Sequence, residues 1–201
     1  GSDKLYDAAF KQAGIIRAYS VEEMFDWARV FATQPIPRGE KTIIITNGGG
    51  VGVLATDTAE ENNVPLIDPS PELKNELRKT MPWFGSPKNP VDLTGQAVVD
   101  NYVKALEIAY GSPEVDNIVV LYCRTAILDP RDLAKAIVEI YREHRDSGKP
   151  LVTAFVGGLD TFEAIKILNR EGIPAYPSPE RAVKSLAKLI EYKRYRDKKT
   201  R

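Results

Sequence analysis

Apolar positions along this chain follow two rhythms. From Asp3 to Ala13, Leu5, Ala8, Ala9 and Phe10 recur at helical spacing and Gly14 supplies a stop, so the pattern predicts a short amphipathic helix. Ile15 to Tyr19 reads as a brief strand. Ser20-Val21-Glu22-Glu23 then has the form of a capping box and opens a second helix through Phe31, with Met24, Phe25, Trp27, Ala28 and Phe31 on its apolar face. Gln34-Pro35-Ile36-Pro37-Arg38-Gly39 breaks the periodicity and marks a linker. Residues 1–38 are therefore expected to be a helical appendage and linker whose apolar faces need another surface, and residues 39–201 the main domain.

From Lys41 onward short apolar runs alternate with helical patterns. Strands are predicted at Thr42 to Thr46, Val64 to Ile67, Asn117 to Cys123, Leu151 to Val156 and Gly172 to Tyr176. Helices are predicted from Gly50 to about Asn62, Pro71 to Thr80, about Asp100 to Tyr110, Pro130 to Arg145, about Thr161 to Arg170 and Pro179 to about Arg196. The strand runs lack in-out alternation, the mark of strands covered on both faces. Five strands alternating with helices predict an open parallel sheet with helices on both faces. Ligands in such folds bind beyond the carboxyl ends of the strands. The turn after the first strand, the Arg124 loop and Gly157-Gly158 all belong to that edge.

The first turn carries the clearest chemistry. Asn47-Gly48-Gly49-Gly50-Val51-Gly52 joins a β-branched run to a helix, and glycines there allow positive φ or close approach to the backbone. A helix beginning near Gly50 would present unpaired N–H groups and its positive dipole end to an anion. Asn47, Gly48, Gly49, Gly50, Val51 and Gly52 are accordingly the candidate phosphate-binding residues. A tight strand-to-helix turn without a ligand would use the same glycines. The Pro-rich loop Met81 to Pro90 leads into Asn89-Pro90-Val91-Asp92-Leu93-Thr94-Gly95, whose polar groups are set among turn formers. Asn89, Asp92, Thr94 and Gly95 are expected to fold over the glycine turn and support its shape.

Composition narrows the classes. Lys plus Arg and Asp plus Glu stand at 28 each, so no overall basic field argues for nucleic acid. No apolar stretch reaches the roughly 18 residues of a membrane span, and the expectation is a soluble, cytoplasmic protein with no membrane partner. A single cysteine, Cys123, forms no internal disulfide and fits a reducing compartment, and its apolar run suggests a small buried hydrophobe. The one histidine, His144, lies in the polar end of a helix, a poor place for a catalytic group. No His, Cys and carboxylate cluster has metal-ligand spacing, so no metal site and no catalytic residue is assigned.

Gly50-Val51-Gly52-Val53-Leu54-Ala55 also matches the dinucleotide pattern, with Asp68 about 20 residues on, so a free-standing NAD-binding module remains a rival. Receiver chemistry does not fit, because Thr46-Asn47 and Cys123-Arg124 stand where acidic residues are needed. A non-catalytic assembly domain is the third possibility.

Three segments together resemble a family. Thr46-Asn47-Gly48-Gly49-Gly50-Val51-Gly52-Val53 with Thr56-Asp57, Lys88-Asn89-Pro90-Val91-Asp92-Leu93-Thr94-Gly95, and Gly157-Gly158 with Gly172-Ile173-Pro174-Ala175-Tyr176 and Pro179-Glu180-Arg181-Ala182-Val183 are similar to the C-terminal part of ADP-forming acyl-CoA (acetyl-CoA) synthetases, within the succinyl-CoA synthetase superfamily. The resemblance implies a flavodoxin-like ligase domain, with residues 1–38 as the tail of a preceding ligase domain. It implies an enzyme converting acid, ATP and CoA to acyl-CoA, ADP and phosphate through an acyl phosphate and a phosphohistidine. In that enzyme the glycine turn would stabilise phosphate on a histidine carried elsewhere. CoA, ATP/ADP and Mg are implied for the whole enzyme and none for this segment alone. CoA-binding, phosphohistidine-bearing and ATP-grasp domains or subunits are the implied partners. The family's histidine would precede the segment resembling Asp3 to Gly14, and His144 does not correspond to it.

Overall fold

The computed structural model describes residues 2–200. Its core is a five-stranded parallel sheet of order β2-β1-β3-β4-β5, built from β1 (Thr42–Thr46), β2 (Val91–Asp92), β3 (Asn117–Cys123), β4 (Leu151–Val156) and β5 (Ala175–Tyr176). The helices are α1 (Asp3–Ala13), α2 (Val21–Thr33), α3 (Gly49–Glu61), α4 (Pro71–Arg78), α5 (Val99–Gly111), α6 (Pro130–Glu143), α7 (Asp160–Arg170) and α8 (Pro179–Lys199). All five residues of β1 are buried, as its unbroken β-branched run requires. Alternate side chains enter two cores: Ile43 and Ile45 join α4 to α7, whereas Ile44 faces α2, α3 and α8. The expected flavodoxin-like sheet with helices on both faces is therefore present.

The second strand differs from expectation. Val64 to Ile67 contributes a single bridge, Leu66 opposite Thr42, and the carboxyl half of that edge belongs to Val91–Asp92, paired with Ile45 and Thr46. Between these two half-edges sits the Asn89 side chain. Its Oδ1 accepts from Ile44 N at 3.0 Å, and its Nδ2 donates to Thr42 O at 2.8 Å and Ile67 O at 3.0 Å. One amide thus replaces a missing peptide unit and keeps the buried edge satisfied. The Asn89-Pro90 peptide bond is cis.

Ile15 to Tyr19 forms no strand, having no sheet edge to join; Arg17 instead pairs with Asp3 and Asp7. The last strand contracts to Ala175–Tyr176 because Ile173 N bonds back to Leu168 O, closing α7. The capping box before α2 is shifted: Ser20 Oγ accepts from Glu23 N at 3.1 Å, but Glu23 Oε2 takes Tyr19 N at 2.8 Å. α2 is fastened to α8, with the buried Asp26 carboxylate accepting two 2.7 Å bonds from Arg181. Gln34 spans the start of β4, accepting from Leu151 N and donating to Tyr141 Oη and Gly172 O. By contrast α1 has no buried residue.

Candidate functional site

The carboxyl end of β1 feeds the glycine turn directly. Gly48 is the N-cap of α3 and is extended (φ −139°, ψ 110°), and none of Gly48, Gly49, Gly50 or Gly52 has positive φ. Gly48 and Gly52 are needed for closeness rather than for backbone handedness, and Gly50 for neither. A Cβ at Gly48 would lie 3.0 Å from Cys123 Cβ, and one at Gly52 would lie 3.3 Å from Pro90 Cβ and Thr46 Cγ2. Gly50 has nothing within 4 Å of that position, so the first turn of α3 is open there.

Two neighbours hold the turn. Thr46 Oγ1 accepts from Gly48 N at 3.0 Å and donates to Gly48 O at 3.1 Å. The buried Asn47 side chain reaches β3, where Cys123 N donates to Oδ1 at 2.8 Å and Nδ2 donates to Cys123 O at 3.0 Å. Asn47 therefore extends the β1–β3 pairing one residue beyond the strand. Gly52 N closes the first helical bond on Gly48 O at 3.0 Å. The N–H groups of Gly49, Gly50 and Val51 are then those a helix start leaves without an intrahelical acceptor.

The electrostatics of this end are unusual within the molecule. Of the eight α-helices described, α3 alone opens with neither a side-chain cap nor an acid in its first turn. Its dipole is uncompensated from within the helix. The nearest carboxylate comes from the expected supporting loop. Asp92 Oδ2 lies 3.3 Å from where a Gly49 Cβ would be, while Oδ1 accepts from Thr94 N at 2.8 Å. Leu93 N donates to Thr46 O at 2.8 Å, which seats residues 89–95 beside the turn. Thr94 takes positive φ (72°) there, and a Cβ at Gly95 would meet open space.

Further along the same edge, Arg124 Nε pairs with Asp160 Oδ2 at 2.6 Å, and its Cβ would be 3.1 Å from one at Gly157. Gly157 and Gly158 do take positive φ (94° and 73°). Asp129 is the N-cap of α6, and Arg131 beside it holds its carboxyl well below the usual range. Burial pushes the Tyr102 phenol far up, so it stays a donor to Leu121 O at 2.8 Å. His144 caps the far end of α6 and stacks on Tyr110 at 4.7 Å, before the start of β4 and so away from this edge. Cys123 is partly exposed rather than buried. Its backbone, not its thiol, holds Asn47, a role that leaves no trace in residue type.

The ligase-CoA domain model matches residues 42–198. The chain belongs to the ligase-CoA domain family. It is 53% identical over 200 residues to the α subunit of the ADP-forming acetate–CoA ligase I of Pyrococcus furiosus, covering 98% of this chain and 42% of that one. It is 38% identical over 193 residues to the ADP-forming acetate–CoA ligase of Methanocaldococcus jannaschii, covering 96% of this chain and 27% of the relative. Two solved structures of the dinucleotide forming acetyl-coenzyme A synthetase 1 of Ca. Korarchaeum cryptofilum, one apo and one in complex with phosphate and ADP, superpose with TM-scores of 0.93 at 44% identity. They are matched over 98% of this chain and 43% and 42% of theirs. This ligase-CoA domain therefore spans less than half the length of these relatives. Among the described residues no group of His, Cys, Asp and Glu could hold a metal, and no helix is long and apolar enough to cross a membrane.

The dinucleotide alternative loses its key acid. A Rossmann site needs the carboxylate at the carboxyl end of the second strand. Here that segment meets β1 at Thr42 only, and Asp68 turns away to pair with Lys74 at 2.6 Å.

Proposed function

We propose that this ligase-CoA domain is the phosphate-stabilising part of an ADP-forming acyl-CoA ligase, which converts acid, ATP and CoA to acyl-CoA, ADP and phosphate. The observation that carries the reading is the start of α3, uncapped, free of acids in its first turn, and open at Gly50. Backbone donors fixed before the ligand arrives stabilise negative charge without reorganisation. In this reading Gly49, Gly50 and Val51 hold the phosphate of a phosphohistidine carried on another domain. Asn47, Gly48 and Gly52 shape the turn. Asn89, Asp92, Thr94 and Gly95 keep its flank in place. CoA, ATP/ADP and Mg belong to CoA-binding, phosphohistidine-bearing and ATP-grasp regions outside these residues.

The test is a titration of inorganic phosphate into the isotope-labelled chain, followed at backbone amides. Saturable shifts centred on Gly49, Gly50 and Val51, lost in Gly50→Glu, are expected, because that substitution places an anion at an open position. Shifts spread evenly over the surface, or identical in Gly50→Glu, would remove the reading.

A further inference from the structure

We propose that this chain has a second binding site, a cationic cavity for a small organic phosphate, at the opposite end of α3 from the glycine turn. α3 is 13 residues long, so the two places stand about 20 Å apart. The proposal does not rest on the glycine turn binding phosphate.

The cavity, of about 380 Å³, lies between the segment that follows α1, the end of α3 and one side of α8. That volume suits a small molecule and is too confined for a polymer. Its walls are tied together. Gly14 caps α1 in the left-handed region (φ 71°) and lies so close on the Tyr195 ring that a Cβ there would overlap it. Arg194 spans from Glu40 to Asn63 O, the latter bond 2.9 Å long, which fastens α8 to the end of α3. Lys188 reaches over the Trp27 ring at 4.7 Å and fastens α8 to α2.

The charge inside does not balance. Lys11, Lys188, Arg194 and Lys198 line the cavity against a single carboxylate, Glu191. Glu191 pairs with Lys188 at 2.9 Å, and Glu40 takes up Arg194. Lys11 and Lys198 are left, and among the described residues neither ammonium group has a hydrogen bond or ion pair. In a chain whose charges cancel overall this surplus is local. Each stands in the last turn of its helix, where a cation meets the dipole, but α8 has Arg196 and Lys199 there as well, so Lys198 exceeds what that end requires. The guanidinium fork that would match a planar carboxylate is committed to Glu40. The donors that remain are compact ammonium groups, point charges of the kind that hold phosphate. Ile15, 52% exposed, Ile16 and the buried Ala187 supply apolar surface for the body of the molecule.

The test is a titration of phenyl phosphate into the isotope-labelled chain of 201 residues, followed at backbone amides, with inorganic phosphate and phenol as the two halves of the probe. Saturable shifts are expected at Gly14, Ile15, Asn62 and Asn63, with each half binding there about tenfold more weakly or worse, the size of one charge-assisted bond lost. Lys11→Glu with Lys198→Glu should abolish these shifts. Lys198→Arg, which keeps the charge, should retain them, as should Arg196→Glu, which reverses a charge in the same turn outside the cavity. Absence of saturable shifts at these amides overturns the proposal, as do shifts unchanged in the double reversal. Inorganic phosphate binding as tightly as phenyl phosphate would make the cavity an adventitious ion site only, and phenol doing so would make it an uncharged apolar cleft; either result removes the organic phosphate. Loss in Lys198→Arg as complete as in the double reversal would trace the effect to packing and overturn the charge argument. Gly50→Glu separates this site from the glycine turn. It should leave the cavity shifts in place even where it removes those at Gly49, Gly50 and Val51, and cavity shifts that vanish with it would show one site instead of two.

Discussion

Asn47 and Cys123 bind each other reciprocally, the Asn47 side chain accepting from Cys123 N at 2.8 Å and donating to Cys123 O at 3.0 Å. This amide ties the glycine turn to the central strand. Asn47→Ala leaves both backbone groups of Cys123 without that partner and is expected to cost about 1–3 kcal/mol in urea unfolding. Asn47→Asp keeps the acceptor but sets a carboxylate against Cys123 O. It should be at least as destabilising near neutral pH and recover in acid, where the carboxyl regains a donor. Equal stability of Asn47→Ala and the parent chain would show that the turn is held elsewhere.

Asn89 does the same work at the sheet edge, with three bonds to Ile44, Thr42 and Ile67. Asn89→Ala is predicted to lower stability by about 2–3 kcal/mol, since it strands buried backbone groups. The specific readout is hydrogen exchange. The Ile44 amide should lose protection more than those of its β1 neighbours, and uniform loss would mean only a global weakening.

The glycines of the turn should separate by position. Gly50→Ala meets open space and is expected to be neutral or stabilising by up to about 1 kcal/mol. Gly52→Ala pushes on Pro90 and Thr46 at 3.3 Å and should cost about 1–2 kcal/mol. The reverse order in thermal unfolding would contradict the packing described here.

Much of this was legible in residue order, for identifiable reasons. The Thr42 to Thr46 run is long, β-branched and followed by glycines, so strand, turn and helix follow from local chemistry. Residues 89–95 were expected beside that turn with Asp92 or Thr94 accepting from its N–H groups; they do lie there, but through Leu93 N donating to Thr46 O, while Asp92 Oδ1 accepts from Thr94 N and Thr94 Oγ1 from Gln96 N of their own loop. The split second strand was not expected. Val91–Asp92 is too short to show any period, and the edge is decided by one asparagine side chain acting as backbone. The Arg124–Asp160 pair joins residues far apart in the chain that no local pattern links. Positive φ, the obvious reason for glycines at 48 to 52, is absent, and only three-dimensional neighbours reveal that closeness is the cause at Gly48 and Gly52.

Stability should also vary with acid through Glu40. Arg194 grips this carboxylate with Nε at 3.0 and 3.1 Å and Nη2 at 2.6 Å, and these hydrogen bonds hold its pKa below the ordinary 4.5. A depressed folded-state pKa gives stability that is present above the unfolded value and is lost as pH falls through the folded one. The loss therefore begins near pH 4.5 and continues below it. The pair is partly exposed, so its contribution is about 0.5–1 kcal/mol. Glu40→Gln should lower stability at pH 7 by that amount and flatten the acid limb. An unchanged acid limb would show that other carboxylates control it.

The last prediction concerns turnover by these 201 residues alone. Transfer of phosphate through a carrier requires a nucleophile, and removing a covalent nucleophile removes the path rather than slowing it. The single histidine is stacked on Tyr110 at the end of α6, away from the carboxyl edge where the glycine turn lies. The helix start can only stabilise charge on a phosphate that another group carries. Purified chain should therefore form no acyl-CoA from acid, ATP and CoA, and His144→Ala should not alter an assembly completed with the CoA-binding, histidine-bearing and ATP-grasp regions. In that assembly, replacing the histidine of the supplied region should abolish turnover, whereas Gly50→Glu in this chain should lower it with the histidine intact. Turnover by the chain alone would place the nucleophile among residues assigned here to structure, and His144→Ala would then be the first variant to measure.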